Sequence, residues 1–300
     1  MMSQPARPVS SALSGIFACP IDKTPLQSVD GATLKCARGH SFDRAREGHV
    51  NLLVVQHKAS RDPGDSKAMV AARRRILDAG HYAPIADRIW VEVRRLVAGL
   101  PVDMRLTIVD AGCGEGYYLS TIAKAAALEF DDRFRLAGID ISKWAVHAAA
   151  KRTSGCSFAV ATNRHLPFAQ GSVDLILSMF GFPLWGCFAD VQPPAGVVLM
   201  VDPGPDHLRE LREIIYPTVK GSLPPSLEAA ETAGYQLEDE RRLQFRFELT
   251  SREQIADLLT MTPHDHRAPL AGRLALAERE RLSLAGDVVF RLLRRRPGSS

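Results

Sequence analysis

The run Val109-Asp110-Ala111-Gly112-Cys113-Gly114-Glu115-Gly116 constrains this chain more than any other stretch. A short apolar segment, LTIVD at 106–110, ends in an acid, and glycines follow at alternate positions. A helical pattern, YYLSTIAKAAAL, then begins at Tyr117. Glycines in such a turn remove Cβ atoms, so a ligand can lie against backbone beside a helix N-terminus. A nicotinamide dinucleotide site requires G-x-G-x-x-G, with its third glycine at 117. Position 117 is Tyr. The same rhythm continues downstream. FRLAGID at 134–140 reads as the next strand, Ser142 caps the helix SKWAVHAAAK, and CSFAV, VDLILSM and VVLMVD (197–202) have strand length. Alternation of this kind predicts an α/β fold with a doubly wound, mostly parallel sheet. In the last third LQFRFEL (243–249) alternates strictly, a helix follows, and GDVVFRLLRR (286–295) is expected to close the sheet antiparallel with it.

Three hundred residues suit about two domains. An apolar share of 46% with 24% charged residues excludes wholesale disorder. No apolar run approaches the roughly 18 residues of a membrane-spanning helix. Five cysteines, odd in number and scattered, fit reduced thiols in the cytoplasm better than a disulfide framework. The net charge of +4 permits a polyanionic partner without demanding one. Composition divides the chain into a Ser/Pro/Ala-rich leader (1–16), a Cys/His-bearing ribbon (17–54), a polar linker with a helix (55–82), the α/β domain (83–296) and a short tail (297–300). In the linker helix Met69, Ala72, Ile76 and Leu77 share a face, with Asp65 or Ser66 as N-cap and Gly80 as C-cap. Its run Arg73-Arg74-Arg75 is either a solvated face or a phosphate contact.

Cys19-Pro-Ile-Asp22 and Cys36-Ala-Arg-Gly-His40 have the spacing of two metal knuckles. A carboxylate oxygen can bind zinc, so Cys19, Asp22, Cys36 and His40 form a candidate ligand set. Exchanging a thiolate for a carboxylate makes such a site harder. The competing reading is a metal-free ribbon held by packing around Phe17, Leu26 and Phe42.

With Tyr at 117, the D-x-G-x-G-x-G form resembles motif I of class I methyltransferases, which hold S-adenosylmethionine in a Rossmann-like domain. Asp140, ending the second strand, is placed to accept both ribose hydroxyls. Asn163, before Leu166-Pro167-Phe168, falls where such enzymes hold the adenine. Longer stretches narrow the resemblance: CxRGHSFDxAxEGHVNLL (36–53), QHKxSRDPGDSxxMxxARRxxLDAGHY (56–82), DxGCGEGYY (110–118) and PGPxHLxEL (203–211). From Phe17 onward the chain resembles the bacterial 23S rRNA (guanine-N1)-methyltransferases, which join a zinc ribbon to a class I methyltransferase domain.

The resemblance implies that Asp110, Gly112, Gly114 and Glu115 surround the cofactor, that Tyr82 covers its methionine end, and that His207 reaches it from the far side. It also implies a 23S rRNA hairpin as substrate and admits a homodimer. Two departures stand out. Asp22 replaces the family's second Cys, and 180–196, FGFPLWGCFADVQPPAG, lacks a clear helix ending in K-P-G-G, which predicts a remodelled substrate-side loop.

Guanine N1 is protonated near neutrality, so a general base is expected, with His81, His165, His207 and Glu115 as candidates. N1 also lies on the Watson–Crick edge, which requires an unpaired or flipped base. Phe180, Phe182 and Trp185 are candidates to stack on it, or else core residues. Lys35, Arg38, Arg61, Arg73 and Arg74 are candidate phosphate contacts. The alternatives are a methyltransferase for a quinone- or lipid-like small molecule and an inactive RNA-binding relative.

Overall fold

A computed structural model describes residues 15–57, 60, 62–130, 133–219 and 224–297. The ribbon contributes β1 (Gln27–Ser28), β2 (Thr33–Lys35) and β3 (Ser41–Asp43), which pair antiparallel in the order β1-β2-β3. β4 (Val50–Asn51) leaves that sheet and joins the large one. After a 3-10 turn at Val55–His57 come α1 (Lys67–Asp78) and α2 (Ala83–Ala98). The α/β core follows as β5 (Leu106–Ala111), α3 (Tyr117–Glu129), β6 (Phe134–Asp140), α4 (Lys143–Arg152), β7 (Ser157–Val160), β8 (Leu175–Met179), α5 (Trp185–Val191) and β9 (Val197–Pro203). The remainder is α6 (Arg209–Ile215), α7 (Glu228–Thr232), β10 (Tyr235–Leu249), α8 (Arg252–Thr260), α9 (His264–Arg267), α10 (Leu270–Ala277) and β11 (Leu282–Arg295).

The eight-stranded sheet runs β10-β11-β9-β8-β5-β6-β7-β4. Strands β9 through β4 are parallel, while β11 pairs antiparallel with both β9 and β10. β5 and β8 are buried along their whole length, as strands covered on both faces must be. The sheet order reverses between β5 and β8, so the crevice at the carboxyl end of β5 is where a ligand belongs.

The linker helix ends where its residues dictate. The Ser66 hydroxyl accepts from the Met69 amide, and Gly80, just past the last turn, takes φ +81°. β10 begins eight residues before the alternating segment LQFRFEL, because its solvent-facing charges hide the strand pattern. The ribbon is less separate than its composition suggests. Gly15 N–H donates to Leu26 C=O and Ile16 is buried, so ordered chain starts inside the expected leader; residues 1–14 lie outside the described residues, as do 298–300 of the expected tail. Phe17 and Phe168 rings meet at 5.6 Å, and Ala18 N–H donates to Pro167 C=O, joining ribbon and α/β domain in one apolar cluster. The stretch 180–196, expected to lack a clear helix, contains α5, and Trp185 is packed against Phe188 and Tyr235 as core. Among the described residues no helix is long and apolar enough to cross a membrane.

Candidate functional site

The turn after β5 builds one wall of a cavity of about 540 Å³. Gly112 has φ +102° and open space where a Cβ would stand, so this backbone faces the cavity bare. The Gly114 amide donates to Asp140 Oδ2 at 3.0 Å, and the Ser142 amide donates to Oδ1 at 2.8 Å. Those bonds aim the carboxylate and leave lone pairs for a diol. Gly116 serves packing instead, since a Cβ there would stand 2.9 Å from the Ala149 Cβ on α4. Beneath the turn, Asp110 is almost fully buried and neither carboxylate oxygen has a hydrogen-bond partner. Burial, with the Asp140 charge, pushes its pKa up to about 7. A buried acid without donors fits a cationic ligand above it.

The roof comes from the linker. Ser142 Oγ donates to Asp65 C=O, anchoring the 62–66 turn. Arg73 pairs with Asp65 and donates to Met261 C=O, and it lines the cavity rather than an outer face. Arg75 forms a bidentate pair with Asp257, which ties α1 to α8. The Arg75 side chain is nonetheless about half exposed, as is that of Arg74, whose Nε lies 3.4 Å from Asp78. Arg73 thus lines the cavity, while Arg74 and Arg75 pair with Asp78 and Asp257 and keep solvent-exposed side chains. Arg61 lies outside the described residues. Lys35 and Arg38 are exposed on the ribbon.

Opposite the glycine turn stand Phe180, Pro203, His207, Arg212, His264 and Arg267. Phe180 (φ +53°) and Leu208 (φ +51°) hold left-handed backbone, a conformation that bulky residues keep only when their surroundings impose it. His207 Nδ1 accepts from the Asp287 amide at 3.3 Å, so Nε2 carries the proton and faces Tyr82 Oη at 3.5 Å. Burial pushes the His207 pKa down to about 4. A neutral imidazole with its acceptor nitrogen already engaged is a donor, not a base. Arg212 is 8% exposed, donates one Nη to Pro205 C=O, and has a buried Nε without a partner.

The structure thus brings Tyr82, Gly112, Gly114, Glu115, Asp140 and His207 to one cavity. Asp110 lies beneath the turn, and Asn163 Nδ2 braces Ala111 C=O at 3.4 Å; neither is on the cavity wall. Two base candidates stand elsewhere. The His81 ring packs against Phe247, and His165 stacks on His57 at 3.7 Å. Glu115 is paired through Oε2 with Arg152, which also holds Asp78 at 2.7 Å. Its carboxylate is structural. Phe182 is 90% exposed, outside the lining. Arg212, His264 and Arg267 escaped sequence reasoning; only Arg212 borders a quoted motif, PGPxHLxEL.

The second constellation is in the ribbon. His40 Nδ1 is 3.1 Å from Asp22 Oδ2, 3.3 Å from Cys36 Sγ and 3.5 Å from Cys19 Sγ. All four ligand atoms lie within 4.8 Å of one another. The Thr24 hydroxyl and amide both donate to Asp22 Oδ1, which aims Oδ2 at the centre and holds the carboxyl well below the usual carboxylate range. A shared centre with two thiols, an imidazole and an oriented carboxylate suits tetrahedral zinc.

Residues 17–61 match the family described as RlmA, N-terminal, a zinc ribbon, and residues 108–192 match a methyltransferase domain. The methyltransferase domain implies S-adenosylmethionine as cofactor, which the bare glycine backbone and the donor-less Asp110 accommodate. The chain is 40% identical over 195 residues to the 23S rRNA (guanine(748)-N(1))-methyltransferase of Streptomyces fradiae, covering 64% of this chain and 65% of that one. It is 32% identical over 302 residues to a protein of Micromonospora griseorubida provisionally assigned as a 23S rRNA (guanine-N(1)-)-methyltransferase, covering 93% and 96%. YxjB of Bacillus subtilis, assigned in the same provisional way, is 30% identical over 278 residues, covering 91% and 95%. A bare glycine cradle, a four-ligand ribbon and these full-length matches agree: the chain belongs to the family of 23S rRNA (guanine-N1)-methyltransferases.

Proposed function

We propose that this protein moves a methyl group from S-adenosylmethionine to N1 of one guanine in a 23S rRNA hairpin. The carrying observation is one cavity with the glycine cradle and Asp140 on one wall and Arg212, His264 and Arg267 on the other. The cofactor supplies an electrophilic methyl on a sulfonium, so the protein's task is chiefly placement and charge. Asp140 receives the ribose hydroxyls, Tyr82 closes over the methionine end, and Arg73 meets its carboxylate.

No free base lines the cavity among the candidates, so activation comes from the opposite side. When guanine N1 gives up its proton, negative charge spreads to O6. The Arg212 guanidinium, on the cavity lining, and the Nε2–H of His207 are donors for that oxygen, and the proton leaves to water at the mouth. Lys35 and Arg38 of the ribbon take backbone phosphates. The convergence of Asp22 with Cys19, Cys36 and His40, and the helix α5 within 180–196, weigh against an inactive relative. A cytoplasmic enzyme acting beside the ribosome, as a homodimer whose ribbons flank the hairpin, completes the reading; light scattering with and without RNA tests the dimer.

The deciding experiment incubates the full chain with unmethylated 23S rRNA and labelled S-adenosylmethionine. One new methyl that halts reverse transcription at a single guanine is the expected result. Cofactor binding without methyl transfer to rRNA would sink the proposal.

A further inference from the structure

A second group of metal-binding side chains lies outside the ribbon's four-ligand cluster. The turn between β3 and β4 carries Glu47 and His49, and α4 carries His147. Their ligand atoms lie within 4.8 Å of one another. Gly48, at φ +95°, allows the tight turn in which Gly48 N–H donates to Ala45 C=O and Ala45 N–H to His49 C=O. That turn presents residues 47 and 49 together toward α4. The His147 Nδ1 stands 3.7 Å from Glu47 Oε2, and the two imidazoles meet edge-on with centroids 5.8 Å apart. His49 Nδ1 is buried and has no hydrogen-bond partner.

We propose that Glu47, His49 and His147 form a second divalent-metal site, distinct from the ribbon's Cys19/Asp22/Cys36/His40 set. Two imidazoles and one carboxylate favour zinc, cobalt, nickel or copper over magnesium or calcium, with the remaining positions open to water. Arg46 approaches the other oxygen, Glu47 Oε1, at 3.5 Å, and its side chain is 92% exposed. It can swing away without loss of packing, and Oε2 stays available. The position of the site defines its effect. Two ligands belong to the turn that enters β4 and the third to the helix packed behind the cofactor turn, so a bound ion bolts the ribbon to the α/β domain. Inner-sphere bonds to both parts add to the β4–β7 pairing and the Phe17–Phe168 packing that already join them.

The test uses the full chain, stripped with a chelator and titrated with cobalt(II). Thiolate-to-cobalt charge transfer in the near ultraviolet marks the ribbon set, whereas a histidine–carboxylate site adds only weaker visible bands. A first equivalent with thiolate absorption, followed by a second without it, is expected. His147→Gln, at a half-exposed helix position, and His49→Gln are each expected to abolish the second equivalent while the thiolate band is unchanged, which also reports that the ribbon is folded. Saturation of the wild-type chain at the thiolate-marked equivalent overturns the proposal. So does a second equivalent that survives in both variants.

Discussion

The two walls of the cavity are built on different principles. The wall proposed for the cofactor is local and made largely of backbone: Gly112 through Tyr118 supply the turn, and Asp140 is the next strand's last residue. The opposite wall is assembled from side chains on Phe180, the 203–212 segment and the 261–267 segment, which are far apart in the chain. The first is acidic and open at its glycines; the second is cationic, with left-handed backbone at Phe180 and Leu208. A cofactor is the same molecule in every enzyme that uses it, so a generic backbone cradle suffices. The second wall must fit one substrate, and side chains do that.

Substitutions on each wall break or sharpen this contrast. Gly114→Arg puts a long side chain where backbone faces the ligand and is expected to weaken cofactor binding by about 100-fold or more, measured by calorimetry with S-adenosylhomocysteine. Arg212→Met is expected to reverse the pattern, lowering kcat by roughly 10²- to 10³-fold while cofactor affinity stays within about threefold. If both variants lose cofactor equally, the two walls are not functionally separate.

The walls also carry opposite pH signatures in the ligand-free protein. Asp110 titrates near 7 in the fold against its usual 3.8, so between those values the folded state holds the extra proton and stability falls as pH rises. His207 titrates near 4 against its usual 6.5, so the unfolded state holds the extra proton and stability rises with pH over nearly the same range. Each contribution is of the order of 3–4 kcal/mol, and they largely cancel. Denaturant unfolding between pH 4 and 7 is expected to show a steeper rise with pH in Asp110→Asn and a fall in His207→Gln. Parallel profiles in the two variants would refute the assignment of these groups. The smallest effect concerns the ribbon. Arg38→Glu is expected to weaken RNA binding several-fold and flatten its salt dependence, and Arg74→Glu to change neither, as read from affinity at two salt concentrations.

The contrast explains what was legible in the sequence. The glycine turn, the acid at 140, the caps at Ser66 and Ser142 and the knuckle spacing are local signals, each spelled within a few residues. The sheet's parallel core followed from them. Arg212, His264 and Arg267 carry no such spelling, because two short helices some 50 residues apart acquire meaning only when α10 packs on α6 and Tyr216 meets His264. Chemistry misled in the other direction for His81 and His165, whose residue type suggested a base and whose neighbours, Phe247 and His57, hold them away from the cavity. Charge alone does not say which way the arginine helix is rolled; Asp65 draws Arg73 to the cavity and Asp257 holds the half-exposed Arg75.

The pairing of Val50–Asn51 with β7 has a consequence for dissection of the molecule. Cutting the chain after the ribbon would strip β7 of its neighbour and uncover Phe168, which the ribbon's Phe17 shields. An excised catalytic half would therefore present an open strand edge beside an apolar patch, the two features that drive proteins to self-associate. The ribbon thus acts as a built-in cover for a strand edge and an apolar face of the α/β domain.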